Sequence, residues 1–277
     1  MSGILYVVGT PIGNLGDFSP RAIETLENVD FIAAEDTRVT LKLLNHFEIK
    51  KPMISYFEHN KRERGDIICS RIENGENCAI VTDAGMPCIS DPGEELIKQC
   101  AERGIKTVVV PGASAVISAL AVSGLSTGRF TFEGFLSTNK KSRSEHLEQL
   151  KNEKRTMIFY EAPHKLSGTL GDLYKTFGDR KISIVREITK IHEEVIRTTL
   201  QKAVEDYGDG SLRGEIVLVL EGADEDIDKE EFTVEEAVEL AKRFIDEGNS
   251  VSESAKQAAK ISGFKKNEIY KLLMNKY

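Results

Sequence analysis

From Ile4 to about residue 121, short β-branched runs alternate with amphipathic stretches, and this alternation constrains the fold more than any other feature. The runs are ILYVV, FIAA, PMISY, CAIVTD and TVVVP, with helical patterns over Pro20–Asn28 and 37–47 between the first of them. Strands separated by helices build a mostly parallel sheet covered by helices. Crossover connections put ligand-binding loops at the carboxyl ends of such strands. The segments after ILYVV, FIAA, CAIV and TVVV are therefore where a ligand is expected. A second α/β unit opens near Phe130, with FTFEGF, RTMIFY, KISIVRE, EVIRTT and EIVLVL as strands and helices near 144–151 and 164–177. Ser123-Gly124-Leu125-Ser126-Thr127-Gly128 is the expected hinge. The expected domains are 1–121, 126–222, an acidic linker and helix at 223–248, and a helical tail at 249–277.

A chain of 277 residues with 40% apolar side chains exceeds what one core usually spans. Its formal charge of −8 argues against coating nucleic acid by bulk attraction, so any RNA contact must use local basic patches. The four cysteines, Cys69, Cys78, Cys88 and Cys100, form no CxxC pair, and the five histidines do not cluster with them. Reduced, mostly buried thiols and no metal are expected. No apolar run reaches the ~20 residues that cross a bilayer, and Met1-Ser2-Gly3-Ile4 lacks a cationic stretch before an apolar one. A soluble cytoplasmic protein that needs no membrane is the expectation.

Residues 224–236 hold eight acidic side chains and one lysine, the composition of a solvated linker. In the tail, Ser250 and Glu253 are spaced as a capping box, Ala255, Ala258, Ala259 and Ile261 recur at helical intervals, and Gly263 ends the helix. A second helix should put Ile269, Leu272 and Leu273 on one face. The pattern fits a helix-turn-helix with Lys265, Lys266, Asn267 and Lys271 along its second helix, and equally a helical hairpin with a solvated basic face.

The loop Gly9-Thr10-Pro11-Ile12-Gly13-Asn14-Leu15-Gly16 lacks both GxxxxGK[ST] and GxGxxG spacing, and Pro11 removes a backbone donor, which disfavours a phosphate cradle. Thr82 to Gly93 reads TDAGMPCISDPG, more turn formers and carboxylates than a plain turn needs. Pro111-Gly112-Ala113-Ser114-Ala115 supplies small residues that let a ligand approach the backbone.

These loops, GTPIGN, AAEDTR, TDAGMPCISDPG and VPGASA, followed by FYEAPHK and REITKIHEE, resemble the ribosomal RNA small subunit methyltransferase I family of the tetrapyrrole-methylase superfamily. The resemblance covers essentially the whole chain. It implies an α/β, two-domain tetrapyrrole-methylase fold with S-adenosylmethionine in the cleft between the domains, plus a small helix-turn-helix-like C-terminal domain. It implies cofactor contacts from Pro11, Asp83, Gly85, Met86, Ile89, Ser114, Ala115, Tyr160, Ala162 and the start of EIVLVL. It also implies a homodimer, and 2'-O-methylation of a cytidine in the decoding region of small-subunit ribosomal RNA, naked or in the assembled 30S subunit. Asp83 suits the ligand's cationic groups or ribose hydroxyls.

Methyl transfer to a ribose oxygen gains from alignment, and from a positioned base or a cation facing the developing charge. Glu187 and Lys190 in REITK, and Asp36 and Arg38 in EDTR, are the candidates; an Asp36–Arg38 ion pair that only shapes its loop is the alternative. For RNA, Lys140, Lys141 and Arg143 form one patch, Lys61, Arg62 and Arg64 a second, and Lys265, Lys266 and Lys271 a third. His59, His164 and His192 could also bond RNA. A small-molecule tetrapyrrole-type methylase and a ligand-sensing nucleic-acid-binding regulator are the competing functions.

Overall fold

The computed structural model describes residues 2–223 and 233–274. They form two compact units, one ending at Gly222 and one beginning at Ala223.

In the first unit, β1 (Ile4–Val8), β2 (Phe31–Ala34), β3 (Met53–Ser55), β4 (Cys78–Val81) and β5 (Lys106–Val110) make an all-parallel sheet in the order β3-β2-β4-β1-β5. Both faces are covered, which explains why FIAA and CAIV read as unbroken apolar runs. Phe31, Ala33, Cys78 and Ile80 face one core with Ile68, Ile72 and Leu96 of α3 (Lys61–Glu73) and α4 (Gly93–Glu102). Ile32, Ala34, Ala79 and Val81 face the other, with Ala22 and Leu26 of α1 (Pro20–Asn28) and Leu44 of α2 (Thr37–His46). Helix starts are locally encoded: Ser19 accepts from the Ala22 N–H at 3.1 Å ahead of Pro20 at the first helical position, and Asp36 caps α2.

The second sheet contains β6 (Phe130–Phe135), β7 (Thr156–Glu161), β8 (Lys181–Arg186), β9 (Glu194–Thr199) and β10 (Ile216–Leu220) in the order β6-β7-β10-β8-β9. Only β6 and β7 run parallel; the other pairings are antiparallel. The last strand in sequence thus lies at the centre, and all five of its residues are buried. One face packs on α7 (Leu166–Phe177) and α8 (Leu200–Tyr207), while α6 (Lys140–Gln149) lends Leu147. The other face receives Val116, Ala119 and Leu120 of α5 (Ala115–Ser123), so a helix that follows the first sheet helps build the core of the second. The expected hinge after α5 is tied down as well, because Arg197 of β9 donates to the carbonyls of Val122 and Ser123 at 2.5 and 3.2 Å.

The second unit packs α9 (Val234–Asp246), α10 (Val251–Ser262) and α11 (Lys266–Met274) around Ala237, Ala241, Ala255, Ala258, Ile269 and Leu273. Ser250 caps α10 by accepting from the Glu253 N–H at 3.3 Å, and Gly263 ends it with φ 76°. The reciprocal capping box lies instead between Thr233 and Glu236 at the start of α9. Ile261 and Leu272, expected on the apolar faces, are 48% and 38% exposed, since only Ile269 and Leu273 lie four apart on the inward stripe of α11. Most of the acidic run, residues 224–232, lies outside the described residues. Cys69, Cys78 and Cys100 are buried free thiols, and Cys88 is half-buried.

Candidate active site

The loops leaving β1, β4 and β5 are laced into one piece. Thr10 and Gly85 exchange backbone hydrogen bonds of 2.9 and 3.1 Å, and the Thr10 hydroxyl donates to the Thr82 carbonyl at 3.2 Å. A Cβ added to Gly9 would stand 2.7 Å from both the Gly112 Cα and the Met86 Sδ, so the two glycines let the β1 and β5 loops touch backbone to backbone. The Gly112 N–H then donates to Met86 Sδ at 3.2 Å. Pro11, Asp83, Gly85, Met86, Ser114 and Ala115, scattered in sequence, thereby share one edge of the sheet. Ser114 starts α5, its hydroxyl accepting from the Ile117 N–H at 3.5 Å. Ile89 is 57% exposed between two non-glycine residues in left-handed conformation, Cys88 (φ 70°) and Ser90 (φ 62°). Asp91 braces that turn by accepting from the Ile89 and Gly93 N–H groups at 3.3 and 2.7 Å. Strain held this way, at about 1–3 kcal/mol per residue, is typical of functional loops.

The carboxylates on this edge divide into two kinds. Asp83 accepts from the Asp36 N–H at 3.1 Å, and burial, with Glu35 nearby, raises its pKa above the ordinary value of 3.8. Such a group is short of positive charge. A sulfonium, an ammonium or a pair of ribose hydroxyls would supply what it lacks, and the small-residue loops leave backbone groups open beside it, so the residues fit S-adenosylmethionine. Asp36 is the reverse case: the Arg38 guanidinium, 2.6 Å away, and the Arg38 N–H hold its pKa down at about 2. It is an ion-paired helix cap rather than a proton acceptor.

On the second sheet, Tyr160 sits at the junction with α5. Tyr160 lies between Phe132 and Phe135, with ring centroids at 4.9 and 5.4 Å, and its hydroxyl meets the Val116 backbone N–H at the start of α5. Burial pushes that phenol up. The Ala162 N–H donates to the buried Glu161 at 2.8 Å, and the Thr169 hydroxyl holds the other carboxylate oxygen. Arg143 donates to Thr169 at 2.7 Å and pairs with Asp172 at 2.6 Å, so its guanidinium is engaged inside the fold. Lys140 and Lys141, at the start of α6, are exposed.

The REITK segment between β8 and β9 closes the cleft beside the first loop. Lys190 donates to Glu187 at 2.9 Å and to Glu215 at 3.0 Å, while the Glu215 N–H donates to Glu187 at 2.9 Å. Burial alone would favour a neutral amine, but the two carboxylates outweigh it and hold Lys190 protonated. The Glu215 N–H, then Lys190, hold the Glu187 pKa down. Neither Glu187 nor Asp36 therefore has the proton affinity of a general base near neutral pH, whereas Lys190 is a fixed cation. A Cβ on Gly13 would lie 2.6 Å from the Lys190 Cγ and 2.9 Å from the Thr189 hydroxyl, so the first loop packs directly on this segment. Together they line a concavity of about 630 Å³ with Asn14, Leu15, Ile191 and His192. A smaller hollow of about 200 Å³ beside Tyr6, Thr25 and Asn77 lies away from these loops, near the amino ends of the strands.

Asn14, Leu15, Ile191 and Gly214 carry no role of their own in the sequence reading, and Glu215 enters it only as the start of EIVLVL. The Asn-Leu-Gly turn signal was available for Asn14. Gly214 sits at φ 92° against the Glu187 side chain, a closeness that spacing along the chain does not carry.

An all-parallel sheet coupled by one helix to a mixed sheet, with glycine-laced loops in the cleft between, is the architecture of a tetrapyrrole methylase. The model of the tetrapyrrole (corrin/porphyrin) methylases matches residues 4–204. Among solved structures, a diphthine synthase superposes with a TM-score of 0.59 at 14% identity, covering 79% of this chain and 90% of that one. The uroporphyrin-III C-methyltransferase of Thermus thermophilus gives 0.56 at 18%, covering 79% and 94%. Ribosomal RNA small subunit methyltransferase I of Synechocystis sp. is 46% identical over 98% of this chain and 97% of that one, and that of Bacillus subtilis 45% over 97% and 93%. The Thermotoga maritima protein of the same name is 47% identical over 220 residues, 79% of this chain and 99% of its own, close to the length of the first unit. The chain belongs to the ribosomal RNA small subunit methyltransferase I family.

Proposed function

We infer that this protein binds S-adenosylmethionine between the two sheets and methylates the ribose 2'-oxygen of a cytidine in the decoding region of small-subunit ribosomal RNA. The observation that carries this reading is the convergence of the β1, β4 and β5 loops beside Asp83, with the β1 loop packed through Gly13 on Lys190 and the start of α5 bonded through Val116 to Tyr160. Asp83, Ser114 and the backbone of the small-residue loops hold the cofactor, with Pro11, Gly85, Met86, Ile89, Ala115, Tyr160 and Ala162 shaping its walls. The bound cofactor supplies an electrophilic methyl group on a positively charged sulfur. Lys190, clamped by Glu187 and Glu215, faces the negative charge that develops on the ribose oxygen, and Glu187 serves as its positioning residue. Asp36 and Arg38 set the loop from which the Asp36 N–H orients Asp83. The residues thus contribute alignment and charge in a shielded cleft.

Lys140 and Lys141 on α6 and Lys265, Lys266 and Lys271 in the second unit are the proposed phosphate contacts. Among the described residues no helix is long and apolar enough to cross a membrane, and a ribosomal substrate places the work in the cytoplasm. The same reading has the protein act as a homodimer.

The test is transfer of labelled methyl to 30S subunits, and to their naked RNA, from a strain lacking this modification, with nucleoside analysis. Labelled 2'-O-methylcytidine is expected. No transfer to either, with cofactor binding intact, returns the function to a small-molecule methylase or a ligand sensor.

A further inference from the structure

The concavity beside Lys190 has walls of two kinds. Leu15 is 43% exposed and Ile191 97%, so the most exposed large apolar side chain of the described residues stands at its mouth. Ile191 is not on a loose loop. Glu187 and Thr189 hold left-handed conformations at φ 50° and 67°, the Thr189 N–H donates to Glu193 at 2.6 Å, and the Glu193 N–H donates to the Lys190 carbonyl at 3.1 Å. A strained, hydrogen-bonded segment that holds an isoleucine in water is built to present it.

The other wall is polar. The Asn14 Oδ1 accepts from the Gly16 N–H at 2.9 Å, which fixes the amide plane, while its Nδ2 makes no hydrogen bond among the described residues. The Thr189 hydroxyl, buried behind this wall against Gly13, also lacks a hydrogen-bond partner among the described residues. Apolar contacts for a ring face and a fixed amide for a ring edge are what a base taken out of its stack requires. The Asn amide offers a donor and a free lone pair, matching the acceptor and exocyclic amine on the edge of cytosine. About 630 Å³ exceeds a base alone and suits a nucleotide. The concavity joins the cofactor loop through Ile12, which packs against Gly85.

We propose that Asn14, Leu15 and Ile191 form the seat of the target base, with Asn14 reading its edge and Leu15 and Ile191 gripping its faces. This seat rests on the RNA-methylating function proposed above. Asn14→Asp keeps the oxygen that caps the turn and removes the amide donor, and Ile191→Ala removes the apolar grip. On undermethylated 30S subunits each lowers kcat/KM about tenfold or more, with S-adenosylmethionine affinity by calorimetry within about twofold of the parent. With uridine in place of the target cytidine, the parent discriminates and Asn14→Asp discriminates less. Parent-like kcat/KM in both variants, an undiminished cytidine preference in Asn14→Asp, or weakened cofactor binding overturns the seat. Dissociation of the dimer by Ile191→Ala, seen in sedimentation, assigns that side chain to a second copy and overturns its role here. A parent that methylates no ribosomal RNA overturns the underlying function instead.

Discussion

Two aspartates eight residues apart in one loop do different jobs, and their surroundings say which. Asp91 accepts two backbone N–H groups and holds the turn around Ile89. Asp91→Ala should leave those donors unsatisfied and cost about 1–3 kcal/mol, read as a lower midpoint in denaturant unfolding. Among the described residues Asp83 accepts only the Asp36 N–H, and it sits where burial and Glu35 disfavour its charge. Its folded pKa lies above the unfolded value of 3.8, so the folded state holds the proton more tightly and gains stability as pH falls through that window. At neutral pH the ionised group weighs against folding. Asp83→Asn should therefore unfold no earlier than the parent at pH 7, yet bind S-adenosylmethionine at least about tenfold more weakly by calorimetry. A variant that loses stability and keeps its affinity would make Asp83 a structural turn residue.

At the scale of elements, the β8–β9 connection is the part of the site that sequence spacing describes least. The segments β1, β2, β4 and β5 were legible because short apolar runs alternate with amphipathic ones, and their loops because turn formers crowd there. The placement of β10 was not: IVLVL announces a fully buried strand but does not say that it inserts between β7 and β8. Likewise Arg143 reads as part of a basic patch, and only the fold reveals Thr169 and Asp172 beside it, contributed from α7 nearly thirty residues later. The Glu187–Lys190–Glu215 cluster joins the end of β8 to the start of β10, a pairing set by strand order. Gly214 guards it, since an added Cβ at φ 92° would lie 2.5 Å from the Glu187 carboxylate. Gly214→Ala should displace Glu187 and with it Lys190, lowering kcat about tenfold or more while cofactor affinity stays within about twofold. Single-turnover methyl transfer beside calorimetry checks this, and unchanged kcat would remove Lys190 from the chemistry.

For the whole molecule the governing quantity is charge. At −8, the protein as a body repels a polyanion, and only local cation clusters can reverse this at contact distance. The second unit offers one, because Lys265 and Lys266 stand exposed at the start of α11. A helix N-terminus already carries positive partial charge, so lysines there do nothing for helix stability and are slightly unfavourable to it. Lys266 also donates to the Ser252 hydroxyl of α10 at 3.0 Å, and an anion arriving here would meet side-chain ammonium groups and free helix N–H groups together. Replacing both by glutamine should change the thermal midpoint of the second unit little, since an amide keeps a donor for Ser252, and cofactor affinity, which belongs to residues of the first, should stay within about twofold. The salt dependence of binding to 30S subunits is the decisive reading: each lost phosphate contact removes about one unit from the slope of log affinity against log salt, so the double variant should be shallower by about two. A parallel line shifted downward would mean that the lysines act without touching phosphate, and an unshifted line would move the RNA grip to Lys140 and Lys141 on α6.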